Sequence, residues 1–203
     1  MLRDLRPKQT LDVGAAQGFL GQLLQGSSLS IDAIEPNPYW ADHARSFYRT
    51  VHPSTVEEAH LPDKSYDCIV CADVLEHLAD PLAVLNHLRR IATDDAHFII
   101  SLPNIAHLAV RLMLLFGRFP RMDRGPLDRT HLHFFTRRTA TDLLASAGLR
   151  IERISATGIP LEELWKRGEG SLLFNTIMRT QHLAVRILPK LFGFQWIFVC
   201  RRK

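Results

Sequence analysis

Cysteine is scarce in this 203-residue chain, which holds three. Cys68 and Cys71 have C-x-x-C spacing, but they share one apolar run and no second pair exists to complete a zinc site. With Cys200 they read as buried, reduced thiols. Long hydrophobic runs are missing as well. No stretch approaches the roughly 18 uninterrupted apolar residues of a membrane span, and the opening MLRDLRPKQT has no apolar signal-peptide core, so a cytoplasmic protein is expected. Two nucleotide-related signatures are also lacking. The third small residue of a G-x-G-x-x-G dinucleotide fingerprint would fall on Phe19, and no Asn/Asp-Pro-Pro-aromatic loop for gripping a flipped base follows the strand ending at Ala72. These absences disfavour a nicotinamide-dependent oxidoreductase and a nucleic-acid partner.

What remains is ordinary for one globular α/β domain: 46% hydrophobic and 23% charged residues, with a net charge of +4. The charge is unevenly spread. Residues 1–103 carry 8 Lys and Arg against 14 Asp and Glu, a net −6, whereas residues 104–203 carry 17 against 7, a net +10. An acidic half suits a cationic ligand and a basic half suits an anionic substrate or membrane surface; uneven solvation of exposed faces would give the same counts.

The stretch Thr10–Gly21, TLDVGAAQGFLG, organises the rest. It reads as the end of a buried strand, a small-residue turn over Gly14–Gly18 and a helix from Phe19, an order that turns backbone N–H groups and a helix N-terminus toward a ligand. A second strand, Ile31–Glu35, ends in an acid about 20 residues beyond the turn, where an α/β nucleotide site places its ribose-binding carboxylate. Pro36 and Asn37 open the next helix. Strands follow at Cys68–Ala72, His97–Leu102, Leu149–Ser155 and Gln195–Arg201, and helices at Asp80–Ile91 and Arg137–Ala147. Alternating strands and helices with short connections predict a mostly parallel, doubly wound sheet with its ligand at the carboxyl ends of the strands. Asp12, Glu35, Glu57 and Asp73 all sit at such ends.

The acidic-x-G-x-G-x-G pattern from Asp12, with Ala16 in place of the central glycine, resembles motif I of the class I S-adenosylmethionine (SAM)-dependent methyltransferases. Pro103-Asn104, the apolar helix Ile105–Gly117, GRFP, the segment LDRTHLHFFT and the helix ending at Gly148 are similar to the UbiE/UbiG-like branch, and the likeness covers nearly the whole chain after residue 9. It implies a Rossmann-like seven-stranded sheet with an antiparallel last strand and helical lids near 104–127 and 160–192. It also implies a strand 3 and loop around Val56–Pro62, with Glu57, or Glu58 as a close second, accepting from the adenine amino group. Because the first strand begins near residue 9, the helices that usually precede it are expected to be missing.

The set implied to hold SAM is Asp12, Gly14, Ala16, Gly18, Glu35, Pro36, Asn37, Glu57 and Asp73. His77 and His131 fall in the family's pocket-facing segments and are expected to touch the acceptor. Asp73, Glu76 and His77 match a cluster proposed to hold a divalent metal in the quinone O-methyltransferases, but no metal is expected here, Glu76 being read as a helix-turn cap. The expected activity is methylation, by preference of oxygen, on a small-molecule acceptor that is amphipathic or anionic, such as a prenylated quinone, lipid-linked sugar or nucleotide-sugar precursor. Two Arg- and Lys-bordered apolar stripes, Ile105–Phe119 and Ser171–Phe192, point either to peripheral membrane contact or to burial against the sheet. A catalytically silent SAM-fold subunit remains the alternative.

Overall fold

A computed structural model describes residues 2–164 and 171–203. Seven strands, β1 (Gln9–Val13), β2 (Ser30–Ile34), β3 (Thr50–His52), β4 (Tyr66–Ala72), β5 (Ala92–Pro103), β6 (Leu149–Thr157) and β7 (Gln195–Arg202), form one sheet in the order β3-β2-β1-β4-β5-β7-β6. Every strand pairing is parallel except those of β7, which runs antiparallel to both β5 and β6. The expected Rossmann-like sheet is therefore present, last strand included.

Helices α1 (Leu2–Leu5), α2 (Phe19–Leu23), α3 (Pro38–Ala44), α4 (Pro81–Ile91), α5 (Leu108–Leu115), α6 (Arg137–Ser146), α7 (Leu161–Leu164), α8 (Leu172–Ile187) and α9 (Pro189–Phe192) complete the described elements. In α4 the Asp80 side chain accepts from the Ala83 N–H at 2.9 Å and Pro81 fills a first-turn position. Val84, Leu85, Leu88 and Ile91 then make the buried stripe that seats the helix. Part of the helical lid expected near 160–192, residues 165–170, lies outside the described residues. No helix among the described residues is long and apolar enough to cross a membrane.

β4 shows why a central strand reads as a continuous apolar run. Cys68 and Val70 enter one core cluster while Ile69 and Cys71 enter the other, so both faces of the strand are covered. The two cysteines consequently point to opposite faces and cannot share a metal ion. Burial pushes the Cys68 and Cys200 thiols up to about 12 and raises Cys71 further still, which leaves all three unreactive as nucleophiles.

Three expectations need correction. Strand 3 is Thr50–His52, paired with Asp32–Ile34, and Val56–Pro62 is a turn whose Val56, Ala59 and Leu61 drop into the core from a loop. The apolar spacing there reports loop packing, not a strand. A short helix, α1, precedes β1 and buries Leu2. β5 begins at Ala92, ahead of the expected start at His97, because Ala92 already pairs with Tyr66.

Candidate active site

Val13, Ile34 and Cys71 lie side by side in the ladder, so the chain leaves β1, β2 and β4 along one edge of the sheet. Gly14 and Gly18 both have positive φ, +73° and +86°. A Cβ at Gly14 would stand 2.7 Å from Val74 Cγ2, and one at Gly18 2.8 Å from the Phe47 ring. Both glycines are thus required by close approach of the chain to itself, before any ligand is considered. Ala16 has φ +47°, the left-handed region that a Cβ disfavours by roughly 1–2 kcal/mol. What holds it there is its N–H, which donates to Glu35 Oε2 at 2.7 Å. Glu35 Oε1 accepts from the Asn37 N–H at 2.9 Å. The Asn37 side chain in turn caps α3 through the Tyr39 and Trp40 N–H groups. Each Glu35 oxygen keeps lone-pair capacity for a further donor.

Asp12 is buried, and its Oδ2 accepts from the Tyr48 hydroxyl at 2.5 Å, which itself accepts from the Gly21 N–H. The aspartate therefore ties the first strand and helix to the segment after α3. Burial pushes its carboxyl up to about 7, against the opposing effect of the Tyr48 hydrogen bond. Between about pH 4 and 7 the folded protein holds a proton there that the unfolded chain gives up, so this group's contribution to stability falls as pH rises through that window. Asp12→Asn should remove most of that fall and leave the protein about 1–3 kcal/mol more stable at pH 8, after discounting the unpaired amide N–H₂. Urea denaturation of both proteins at pH 5 and pH 8 checks this; equal pH slopes would show that Asp12 is ionised throughout.

At the exit of β4, Asp73 also adopts a positive φ, 56°. Its Oδ1 accepts from the Gln195 side chain and from Ser101 Oγ at 3.3 Å, so β5 and β7 fix it. A turn of 3-10 helix over Leu75–His77 follows. Glu76 is fully buried, and among the described residues neither carboxylate oxygen has a hydrogen-bond partner. The capping role expected of it is not present. Burial, reinforced by the Asp73 charge, pushes its carboxyl up to about 8. Glu76 Oε1 lies 4.0 Å from His131 Nε2, too far for a hydrogen bond. Burial and the neighbouring His77 hold His131 below its ordinary pKa, so at neutral pH an uncharged acid faces an uncharged imidazole.

His77 and His131 meet edge to face with ring centroids 4.8 Å apart. The Thr130 hydroxyl donates to Asp128 Oδ1 at 2.6 Å, so toward His77 Nδ1, 3.2 Å away, it can only accept. The Thr130 carbonyl oxygen, 3.4 Å from the same nitrogen, also accepts. These two acceptors favour, in the neutral ring, the tautomer with the hydrogen on His77 Nδ1 and the lone pair on Nε2. Together Asp73, Glu76, His77, Asp128 and His131 line one wall of a cavity of about 590 Å³, opposite Met178, Gln181 and His182 of α8. Donor atoms of Glu76, His77 and His131 lie within 4.8 Å of one another. One carboxylate with two imidazoles fits a borderline divalent cation better than Mg²⁺, and the unpartnered Glu76 oxygens are what such an ion would satisfy.

Residues 1–154 match the family described as "Methyltransferase domain". The chain belongs to the SAM-dependent methyltransferases. It is 26% identical over 176 residues to a Mycolicibacterium smegmatis protein named "Probable S-adenosylmethionine-dependent methyltransferase", an alignment covering 85% of this chain and 64% of that one. It is 27% identical over 119 residues to a ubiquinone biosynthesis O-methyltransferase of Haemophilus ducreyi, covering 53% and 50%. The crystal structure of a SAM-dependent methyltransferase from Archaeoglobus fulgidus superposes with a TM-score of 0.67 at 19% identity, over 99% of this chain and 91% of that one. The chain thus spans about half to two-thirds of the curated relatives it matches.

In this chain Glu35 accepts from the Ala16 and Asn37 N–H groups, the Gly14 N–H donates to the Ile34 carbonyl and the Gly18 N–H to that of Ala15, so these residues meet at one turn, with Pro36 exposed beside Glu35. The structure joins His77 and His131 in a second group, on the cavity wall with Asp73. Glu57 and Glu58 stand exposed in the turn after β3, and among the described residues neither carboxylate has a hydrogen-bond partner. Tyr48, Thr130, Ser101 and Gln195, which orient the expected residues, were not legible: each is a single polar side chain distant in sequence from the group it holds, and Asp128 acts through its neighbour Thr130.

Proposed function

We propose that this chain transfers the methyl group of SAM to a hydroxyl of a small-molecule acceptor. SAM is the cofactor of the family, and Glu35, whose two oxygens sit beside the glycine turn, is read as its ribose ligand. The adenine contact is assigned to Glu57 and the methionine end to the neighbourhood of Asp73. The observation that carries the reading is the cavity lined by Asp73, Glu76 and His77 at the exit of β4, with the His77 ring oriented through Nδ1 by Thr130. Methyl transfer is an in-line displacement, so the chain's tasks are to align donor and acceptor about 3 Å apart and to take the acceptor's proton. His77 takes the proton, and His131 and Glu76 shape the uncharged wall behind it. The segments at 104–127 and 160–192 act as lids within one domain.

Thermal denaturation with SAM against NAD is the first test. SAM at 100 times its dissociation constant should add about 2.7 kcal/mol of stability and NAD should add none. Turnover of methyl-labelled SAM with extract-derived acceptors separates an enzyme from a silent SAM-binding subunit, and a stabilising effect of NAD alone would overturn the reading.

An amphipathic or anionic acceptor, and peripheral contact with an anionic membrane, fit the second half of the chain. Leu115 and Phe116 are each 75% exposed, Leu172 84%, and no Asp or Glu occurs from residue 96 to 122 or from 171 to 203. An apolar helix face edged by Arg111 and Arg118 has the chemistry of an interfacial helix. Leu115→Ser with Phe116→Ser should abolish co-sedimentation with phosphatidylglycerol vesicles at low salt; absence of wild-type binding there removes the membrane from the reading.

A further inference from the structure

Adjacent residues of a strand face opposite sides of a sheet. Gln195 faces the cavity beside Asp73, whereas Trp196 lines two other cavities, of about 490 and 350 Å³, that the methyl-transfer reading does not use. The larger is walled by Arg111 of α5, Arg137 and Arg138 of α6, and Lys190 of α9, with Asp142 as its one acid. None of these four cations has an ion-pair partner among the described residues. Two are held by uncharged contacts instead: Arg111 Nε donates to the Ala106 carbonyl at 2.6 Å, and the Arg137 guanidinium lies 5.8 Å from the centre of the Trp196 ring. The adjoining cavity adds Arg186.

Four uncompensated cations around one cavity repel each other, and Arg forks are the groups best matched to phosphate oxygens. Trp196, 2% exposed, lines the cavity, and the Arg137 guanidinium lies over its ring, which keeps that cation at the lining. The N-terminus of the ten-residue helix α6, capped by Thr136, opens on the same cavity and adds its positive end. The cavity is also several times larger than a halide or a carboxylate requires.

We propose that Arg111, Arg137, Arg138 and Lys190 form a second binding site, separate from the methyl-transfer cleft, that takes a phosphomonoester or diphosphate group. That group comes either from a soluble phosphate ester or from a lipid headgroup. Arg111 lies one residue before the exposed Leu112 on α5, so a headgroup in the cavity would leave its chain along the apolar helix.

Calorimetric titration with sodium pyrophosphate, against sodium chloride at matched ionic strength, tests the site on the whole chain. Wild type should bind, and the exposed pair Arg138→Gln with Lys190→Gln should bind at least tenfold more weakly while SAM affinity is unchanged. Arg111→Gln alone serves as a second variant should the double one fail to fold. Pyrophosphate binding without sedimentation on phosphatidic acid vesicles supports a soluble ester. Sedimentation on those vesicles, absent on phosphatidylcholine and competed by pyrophosphate, supports a lipid headgroup. Equal pyrophosphate affinity in wild type and variant, or no binding by either, overturns the site, and leaves the SAM result standing.

Discussion

Replacing Glu35 by alanine should lower the stability of the ligand-free protein by about 2–4 kcal/mol, because the carboxylate removed is the acceptor for two backbone N–H groups and each unpaired donor costs about 1–3 kcal/mol. The Ala16 N–H, half-buried, is the more expensive of the two, and the more exposed Asn37 N–H recovers part of its loss from water. Ala16 would also lose the bond that holds it at positive φ. SAM affinity should fall by a further 1.5–3 kcal/mol, the worth of hydrogen bonds to a charged group. The two effects separate cleanly: urea denaturation without ligand reads the first, and calorimetry below the midpoint reads the second. A variant as stable as wild type would mean that the turn does not depend on Glu35. Unchanged SAM affinity in a folded variant would remove Glu35 from the donor site.

That double dependence explains what the sequence could and could not reveal. The sheet was legible because its strands are buried on both faces or bounded by Gly, Pro and Asp signals, as with the run Cys68–Ala72 and the Asp80-Pro81 helix start. Strand β3 was not, because three residues on an edge carry too little pattern, and the stronger apolar spacing of Val56, Ala59 and Leu61 belonged to a loop. At the site, residue types and order identified the glycine turn and Glu35, but not what each group would spend its bonds on. Asp12, expected at the donor site from its place in the motif, is also tied internally to Tyr48, 36 residues away. Glu76 looks like a cap and is an unpartnered buried acid. Such roles depend on which distant side chain arrives opposite, and no local periodicity encodes that.

His77 is where the distant partners matter most for rate. If it takes the acceptor's proton, His77→Ala should lower kcat by about 10²–10⁴, the usual contribution of a positioned base, with SAM affinity unchanged. Thr130 offers a sharper test, since it touches neither donor nor acceptor in this reading. Its hydroxyl hydrogen is committed to Asp128, whose carboxyl the Thr130 hydrogen bonds hold below its ordinary value despite partial burial. The Thr130 oxygen can therefore only accept from Nδ1. Thr130→Val removes the nearer of the two acceptors and leaves only the residue 130 carbonyl oxygen, 3.4 Å away, to hold the hydrogen on Nδ1, so more of the imidazole carries it on Nε2, the nitrogen that must be bare. Turnover should fall at least tenfold, KM should change little, and Thr130→Ser, which keeps the hydroxyl, should restore the rate. A mere packing role would show the opposite ranking, because valine preserves the volume of threonine and serine does not. Measured kcat for the three proteins over pH 6–9 decides between them. If His77→Ala retains turnover within tenfold of wild type, proton removal is not carried by this imidazole, and the acceptor reaches the cavity already deprotonated.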